Sequence, residues 1–201
     1  MSDFAALLAR RRMCRSFLPD PLPPSVVDRV LGAARRAPAA GNSDGLDLLV
    51  LEGPDQTARY WDITLPTERR ARFRWPGLLR APLLVIPLAD AEAYLDRYAE
   101  PDKAAGGLGR DEAAWAVPYW TVDAAFAAML MQLAAIEEGL GVLFFGLFDH
   151  SAAVMDAFAV PGDRQPVGAL AIGVPDGEDD PGRSAARPRR PLDAIVHRGH
   201  W

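Results

Sequence analysis

Four arginines fall within six residues near the start of the chain: Arg10, Arg11, Arg12 and Arg15, around Met13 and the single cysteine, Cys14. A guanidinium is a planar fork of donors that matches phosphate and carboxylate oxygens. Such a cluster therefore has three readings: a solvated helix end, a nucleic-acid contact, or a socket for a small anion such as a cofactor phosphate. A second cluster, Arg183, Arg187, Arg189 and Arg190, stands near the other end. Between them lies "RAPAAGNSDG" (Arg36–Gly45). Its small residues let backbone approach a ligand closely, and Asn42 offers both a donor and an acceptor. Two arginine clusters, each beside an ordered apolar segment, favour a shared anion site.

Composition narrows the choice. With 22 basic and 27 acidic residues the chain carries a net charge of −5, which argues against a general nucleic-acid surface. Half of the 201 residues are apolar, enough for one domain with a sizeable core. One cysteine excludes an intrachain disulfide and a cysteine cluster for zinc, and His150, His197 and His200 lack the spacing of a helical pair, so no metal is expected. No stretch reads as a signal peptide or as the roughly 20 apolar residues that cross a bilayer, which predicts a cytoplasmic protein without a membrane partner. There is no GxSxG elbow, no P-loop and no GxGxxG after a strand. Cys14, without a placed histidine partner, reads as a small packing residue.

The elements that must hold these residues follow from periodicity. Phe4, Leu7 and Leu8 predict a helix over about Asp3–Arg12, with the arginines at its C-terminal end. After Pro21, Pro23 and Pro24, a second helix begins with Ser25 and Asp28 as a capping box and ends near Ala37, before Pro38. "LDLLVLEG" (Leu46–Gly53), "APLLVIPLAD" (Ala81–Asp90) and "VGALAIGVP" (Val167–Pro175) read as strands, with Pro87 marking an edge or a strand end. "TVDAAFAAMLMQLAAIEEGLG" (Thr121–Gly141), apolar on nearly all sides, predicts a central buried helix terminated at Gly139. "VLFFGLFD" reads as a strand or its exit, with Ser151 starting another helix. Residues 61–80 and 91–117 lack a clean period and read as loops with short helices. Helices and strands mix without strict alternation, which favours an α+β domain.

Four motifs in order carry a resemblance. "RRMCRSF" (Arg11–Phe17) resembles the signature that opens the nitroreductase family of FMN-dependent oxidoreductases. "ARRAPAAGN" (Ala34–Asn42) resembles its A-x-x-A-P-S-x-x-N element, and "AAFAAMLMQLAAIEEGLG" its long dimer-core helix. "ALAIGVP", an arginine group and "PLDAIVHRGHW" resemble its last strand and phosphate-binding arm.

The resemblance implies an α+β fold with a central, mainly antiparallel sheet flanked by helices and a long buried dimer-core helix. It implies one flavin-binding domain over 1–201, with about 55–117 a variable excursion bordering the site and 176–201 an arm wrapping the partner subunit. Arg11 and Arg12 then hold the FMN phosphate and ribityl chain, and Arg15 reaches the pyrimidine side of the ring. Met13 stands where serine is usual. Pro38, Ala39 and Ala40 lie beside the flavin, and Asn42 bonds its polar edge. Phe145, Gly146 and Leu147 pack against the central ring, Gly146 falling where some members have glutamate. Arg187, Arg189 and Arg190 compete for the phosphate, with Arg190 preferred. The site is completed by two subunits of a homodimer. Phe73, Trp75, Tyr119 and Trp120, with Trp61 and Trp115, border the substrate side.

The implied activity is hydride transfer from NADH or NADPH through flavin N5 to a flat electrophile, such as a nitroaromatic or quinone, in ping-pong fashion. Related alternatives are a dehydrogenase, a dehalogenase, an enzyme that fragments flavin into dimethylbenzimidazole, and a non-catalytic FMN-storage protein.

Overall fold

The computed structural model describes residues 4–180 and 182–201, without the side chains of Arg183 and Ser184. Its centre is strand β2 (Leu83–Asp90), buried along nearly its whole length. It pairs antiparallel with β1 (Leu46–Glu52) on one side. On the other it pairs with β5 (Ala169–Gly173) at Leu83–Val85 and with the short β4 (Arg164–Pro166) at Leu88–Asp90. β3 (Gly141–Phe145) completes the sheet against β5, also antiparallel. An antiparallel strand covered on both faces needs apolar side chains at every position, which "LLVIPLA" supplies.

Pro87 is therefore interior, not at an edge. Its missing N–H falls where β2 changes partner from β5 to β4, and its carbonyl accepts from Val167 N–H at 3.1 Å. No ladder donor is lost at that point.

The two faces of the sheet carry different layers. On one, Leu84, Ile86, Leu88, Leu143, Ala169 and Ala171 pack against Tyr60 and Trp61 of α3 (Gly53–Thr64), the N-terminal segment around Cys14 and Phe17, and Val154 and Met155 of α7 (Ser151–Ala157). On the other, Leu83, Val85, Val142, Leu170 and Ile172 pack against α2 (Pro24–Ala34) and α6 (Tyr119–Glu137). Outside these layers lie α1 (Phe4–Arg10), α4 (Thr67–Arg70) and α5 (Ala91–Ala99). The range 55–117 thus holds the central strand as well as helical excursions.

Several boundaries differ from expectation. α1 stops at Arg10, and Asp3 lies outside the described residues. α2 starts without a side-chain cap: Pro23 occupies the cap and Pro24 the first helical position, where its missing N–H costs nothing. The Ser25 capping box is absent, and the helix ends at Ala34. α3 went unrecognised because its buried stripe is short, only Thr57, Tyr60 and Trp61. α6 ends at Glu137, closed by Gly139 at φ 78° and by Leu140 N–H to Ala135 O at 2.8 Å. It is long and apolar enough to cross a membrane by length and composition, which the sequence reading did not expect. Half of it is buried against α2 and the sheet, so it is a core helix. Its opposite face is apolar and uncovered in the single chain, with Phe126 and Met129 exposed.

Two glycines separate packing from propensity. A Cβ on Gly77 would lie 1.9 Å from Ser16 Oγ and 2.9 Å from Ser16 Cα, so backbone must move. Gly32, inside α2, has nothing within 4 Å. Gly32→Ala should raise the thermal unfolding midpoint through a gain of about 0.5–1 kcal/mol. Gly77→Ala should lower it through a loss of about 1–3 kcal/mol.

Candidate functional site

The segment Cys14–Leu18 is held on three sides. Cys14 N–H donates to Val142 O at 2.9 Å, Leu18 N–H to Val174 O at 2.9 Å, and Phe17 bridges Pro175. Cys14 packs on Gly141, where a Cβ would meet Sγ at 2.7 Å, and burial pushes its thiol above the ordinary range. Ser16, buried, donates to Asp176 Oδ2 at 2.6 Å, and Arg80 pairs with the same carboxylate while donating to Phe17 O at 2.9 Å. Residues on both sides of Arg15 are thereby fixed. Arg15 itself gives its backbone N–H to Asp179 at 2.6 Å, and its guanidinium sits 5.4 Å from the Trp75 ring centroid. Arg74 stands 5.2 Å from the same ring, whose indole N–H donates to Asp180 O.

Arg15 faces a cleft of about 450 Å³. Its walls come from α3 (Tyr60, Trp61, Thr64), the stretch after it (Leu65, Phe73, Trp75, Leu78) and the exit of β3 (Phe145–Phe148, His150). Trp61 stacks on Phe145 at 5.9 Å and 10°, and Tyr60 meets Trp61 edge-on at 5.0 Å. This aromatic wall is rigid at little entropic cost, because each ring has two side-chain torsions. The buried Trp61 Nε1–H has no partner among the described residues.

The predicted site residues therefore divide. Arg15, Phe73, Trp75, Phe145, Gly146 and Leu147 meet in this cleft. Met13 packs on the core beneath it. Arg11 is half-buried, Arg12 exposed, and neither makes an ion pair among the described residues, whereas Arg10 pairs with Glu137. Arg187, Arg189 and Arg190 are exposed and do not line the cleft, and Arg190 donates to Ala194 O.

The other group lies across the sheet. Pro38 and Ala39 line a smaller cavity, of about 140 Å³, with Tyr94 and Asp123. Ala40–Asn42 form a 3₁₀ turn in which Gly41 and Asn42 adopt φ 66° and 57°. A Cβ on Gly41 would meet the Tyr98 ring at 2.7 Å. Tyr119 is half exposed at the start of α6. Trp120, grouped with the substrate-side candidates, is buried against Tyr94 and Trp115 and presents no open ring face. Trp115 is buried in the same cluster.

Sequence reasoning passed over several contributors. His150 and Phe148 enter the first cleft through the turn after β3. Asp123, the one acid within the apolar run of α6, is buried and accepts from Ala40 N–H at 2.7 Å and Tyr94 O–H at 2.8 Å. Burial, and then this bond to Asp123, raise the Tyr94 phenol. A lone acid in an apolar helix is a readable signal of such a bond. Asp176 and its neighbours were read only as part of a polar tail.

Comparison with known proteins agrees with this fold. The chain matches the Nitroreductase family over residues 8–174. It belongs to that family, and is an oxidoreductase.

It is 30% identical over 199 residues to 5,6-dimethylbenzimidazole synthase of Rhodobacter capsulatus, covering 97% of this chain and 88% of that protein. It is 23% identical to an NADPH-dependent oxidoreductase of Staphylococcus epidermidis, covering 100% of this chain and 75% of the relative. In fold it is similar to a nitroreductase-like protein from Streptococcus mutans (TM-score 0.77, 16% identity, 97% of both chains). It is also similar in fold to the NfrA1 nitroreductase from B. subtilis (TM-score 0.74, 19% identity, 98% of this chain and 74% of that one). The expected α+β fold with a central antiparallel sheet is therefore established for this nitroreductase relative.

Two predictions test the supports. Asp123→Ala leaves two donors without their acceptor and should destabilise the fold by about 2 kcal/mol or more, while Asp123→Asn, which keeps one oxygen, should cost less by denaturant titration. The Ser16 bond, the Glu178 N–H and Arg80 hold the Asp176 carboxyl below its ordinary range. Its contribution is therefore complete above about pH 4 and is lost as pH falls through the lowered folded-state value. The thermal midpoint should fall less steeply on acidification in Asp176→Asn than in the native chain.

Proposed function

We propose that this protein is an FMN-dependent oxidoreductase that takes hydride from NADH or NADPH and passes it to a flat electrophile, a nitroaromatic or quinone, in a ping-pong cycle. The observation that carries the reading is Arg15, pinned beside an aromatic cleft of cofactor-site size, in a member of the Nitroreductase family. Bound FMN would supply the hydride relay at its N5 atom.

The residues present fit that cofactor. Arg11 and Arg12 make no ion pair among the described residues, and with one of Arg187, Arg189 and Arg190 they would hold the phosphate. Arg15 would stabilise negative charge taken up on the pyrimidine edge during reduction. Phe145, Gly146 and Leu147 would pack the ring's central portion, and the walls around Trp61 and Phe73 would keep water from it.

Pro38, Ala39, Ala40 and Asn42 lie on the opposite face of the sheet from that cleft, so one chain cannot bring both groups to one ligand. A homodimer resolves this, the turn of one copy completing the cleft of the other. The uncovered stripe of α6, with Phe126 and Met129, supplies an apolar interface of the kind that homodimers bury. Leu192, Ile195 and Trp201 are exposed along 176–201, as an arm awaiting a partner surface would be. We read the assembly as a soluble cytoplasmic enzyme.

A second reading rests on the Rhodobacter capsulatus relative, a 5,6-dimethylbenzimidazole synthase: reduced flavin as substrate, fragmented with oxygen to dimethylbenzimidazole. The two differ in the fate of FMN.

Purified protein should show flavin absorbance, release FMN on denaturation, bleach anaerobically with NADH or NADPH, and regain its colour with menadione. A colourless protein that cannot be reconstituted overturns the reading. Aerobic disappearance of FMN itself with release of dimethylbenzimidazole selects the second. Arg15→Ala should lower the flavin potential or weaken FMN retention; if neither changes, Arg15 does not meet the ring. Phe126→Asp should yield monomers that have lost flavin, as judged by size-exclusion chromatography with absorbance detection.

A further inference from the structure

Phe148 combines three features that packing does not explain. Its backbone is left-handed, at φ 49°, a region that disfavours any residue with a Cβ and a bulky one most. The residue is 83% exposed, the highest value among the exposed large apolar residues other than Trp201. It also lines the same cleft as Arg15.

Gly146 makes this placement possible. A Cβ there would lie 3.0 Å from Phe148 Cζ and 3.1 Å from Cε1, so the ring lies over the bare backbone of Gly146. A Cβ at position 146 would make the ring shift by a few tenths of an ångström. Strained backbone persists where the surrounding structure over-determines it, and such residues cluster at ligand clamps. An exposed ring beside an aromatic-walled cleft is also poorly placed for stability alone, because it gains nothing from burial.

We propose that Phe148 is a substrate-stacking residue, held out over the cleft by the turn after β3, and that it selects flat aromatic acceptors. The proposal rests on the reading of this cleft as the flavin site of the oxidoreductase, with Phe148 at its exposed edge, where an acceptor arrives. The ligand it fits is a planar ring system whose face stacks on Phe148. Compact acceptors gain nothing from it. The pair Gly146 and Phe148 acts as one unit, the missing side chain at the first giving the second its position.

The test uses the purified protein with its own flavin content, the flat quinone menadione as probe, and ferricyanide as a compact acceptor. Menadione binding is read through quenching of tryptophan fluorescence, since Trp61 and Trp75 line the cleft. That readout works with or without flavin. Phe148→Gly relieves the left-handed strain, so its thermal midpoint should rise by about 2–4 °C. Menadione binding should weaken about tenfold, with KM rising more than kcat changes. Gly146→Ala should weaken menadione binding in the native background and leave it unaltered in Phe148→Gly, the signature of a coupled pair.

Unchanged menadione affinity in Phe148→Gly overturns the proposal. So does a lowered midpoint with dissociation to monomers, which would make Phe148 an interface residue. A native protein that reduces ferricyanide but does not bind menadione also overturns it, while leaving the oxidoreductase reading intact. Phe148-dependent menadione binding by a protein that cannot take up FMN would sink the oxidoreductase reading and leave the stacking role standing.

Discussion

The burial of β2 on both faces constrains everything else. Its side chains alternate between two apolar layers, and its backbone is paired along both edges. A strand so enclosed cannot shift register by one residue without turning each layer inside out. It therefore divides the molecule. The N-terminal segment, α3 and the exit of β3 build a cleft on one side; α2, α5 and α6 support the Ala40–Asn42 turn on the other. The proposed need for two copies follows from that division, because residues that would serve one ligand stand on opposite faces of the sheet.

Within the cleft, charge is placed by backbone and carboxylates. Arg15 lies between Cys14 and Ser16, both buried, so its side chain alone is left to face outward. Asp176, Asp179 and Asp180 tie the chain after β5 to Ser16, Arg15 and Arg74. The acidic turn fastens the frame around Arg15 without forming an ion pair to its guanidinium among the described residues. Charge that is fixed before a ligand arrives needs little reorganisation when the ligand binds. The aromatic walls follow the same logic, with stacked and edge-on rings holding one another in place.

Much of this was legible in the chain. The strands around Leu46, Ala81 and Val167 read correctly because buried strands are short apolar runs. The end of α6 read correctly because Gly139, the first glycine after the apolar run, accommodates a left-handed turn at no steric cost. The errors share a cause. The Ser25 capping box failed because Pro24 took the first helical position. Pro87 was misplaced because tolerance for proline depends on which neighbour faces its nitrogen. α3 was missed because three buried residues make too short a stripe for periodicity to register. Trp120 was grouped with ligand-facing aromatics, although only the packing of Tyr94 and Trp115 shows that its faces are covered.

Residue types and their order, taken alone, determined the fold class, the family and the chemistry to look for. An arginine cluster in an acidic chain raised the question of an anion, and apolar periodicity indicated which segments are buried. Tertiary structure decided which of those residues share a cleft, that Asp123 anchors the Ala40 turn, and that Phe148 stands exposed in a strained backbone over Gly146. Local propensity acts over a few neighbours along the chain. Cleft walls, buried acids and the two sides of a sheet arise from contacts between residues far apart in sequence, which spacing does not encode.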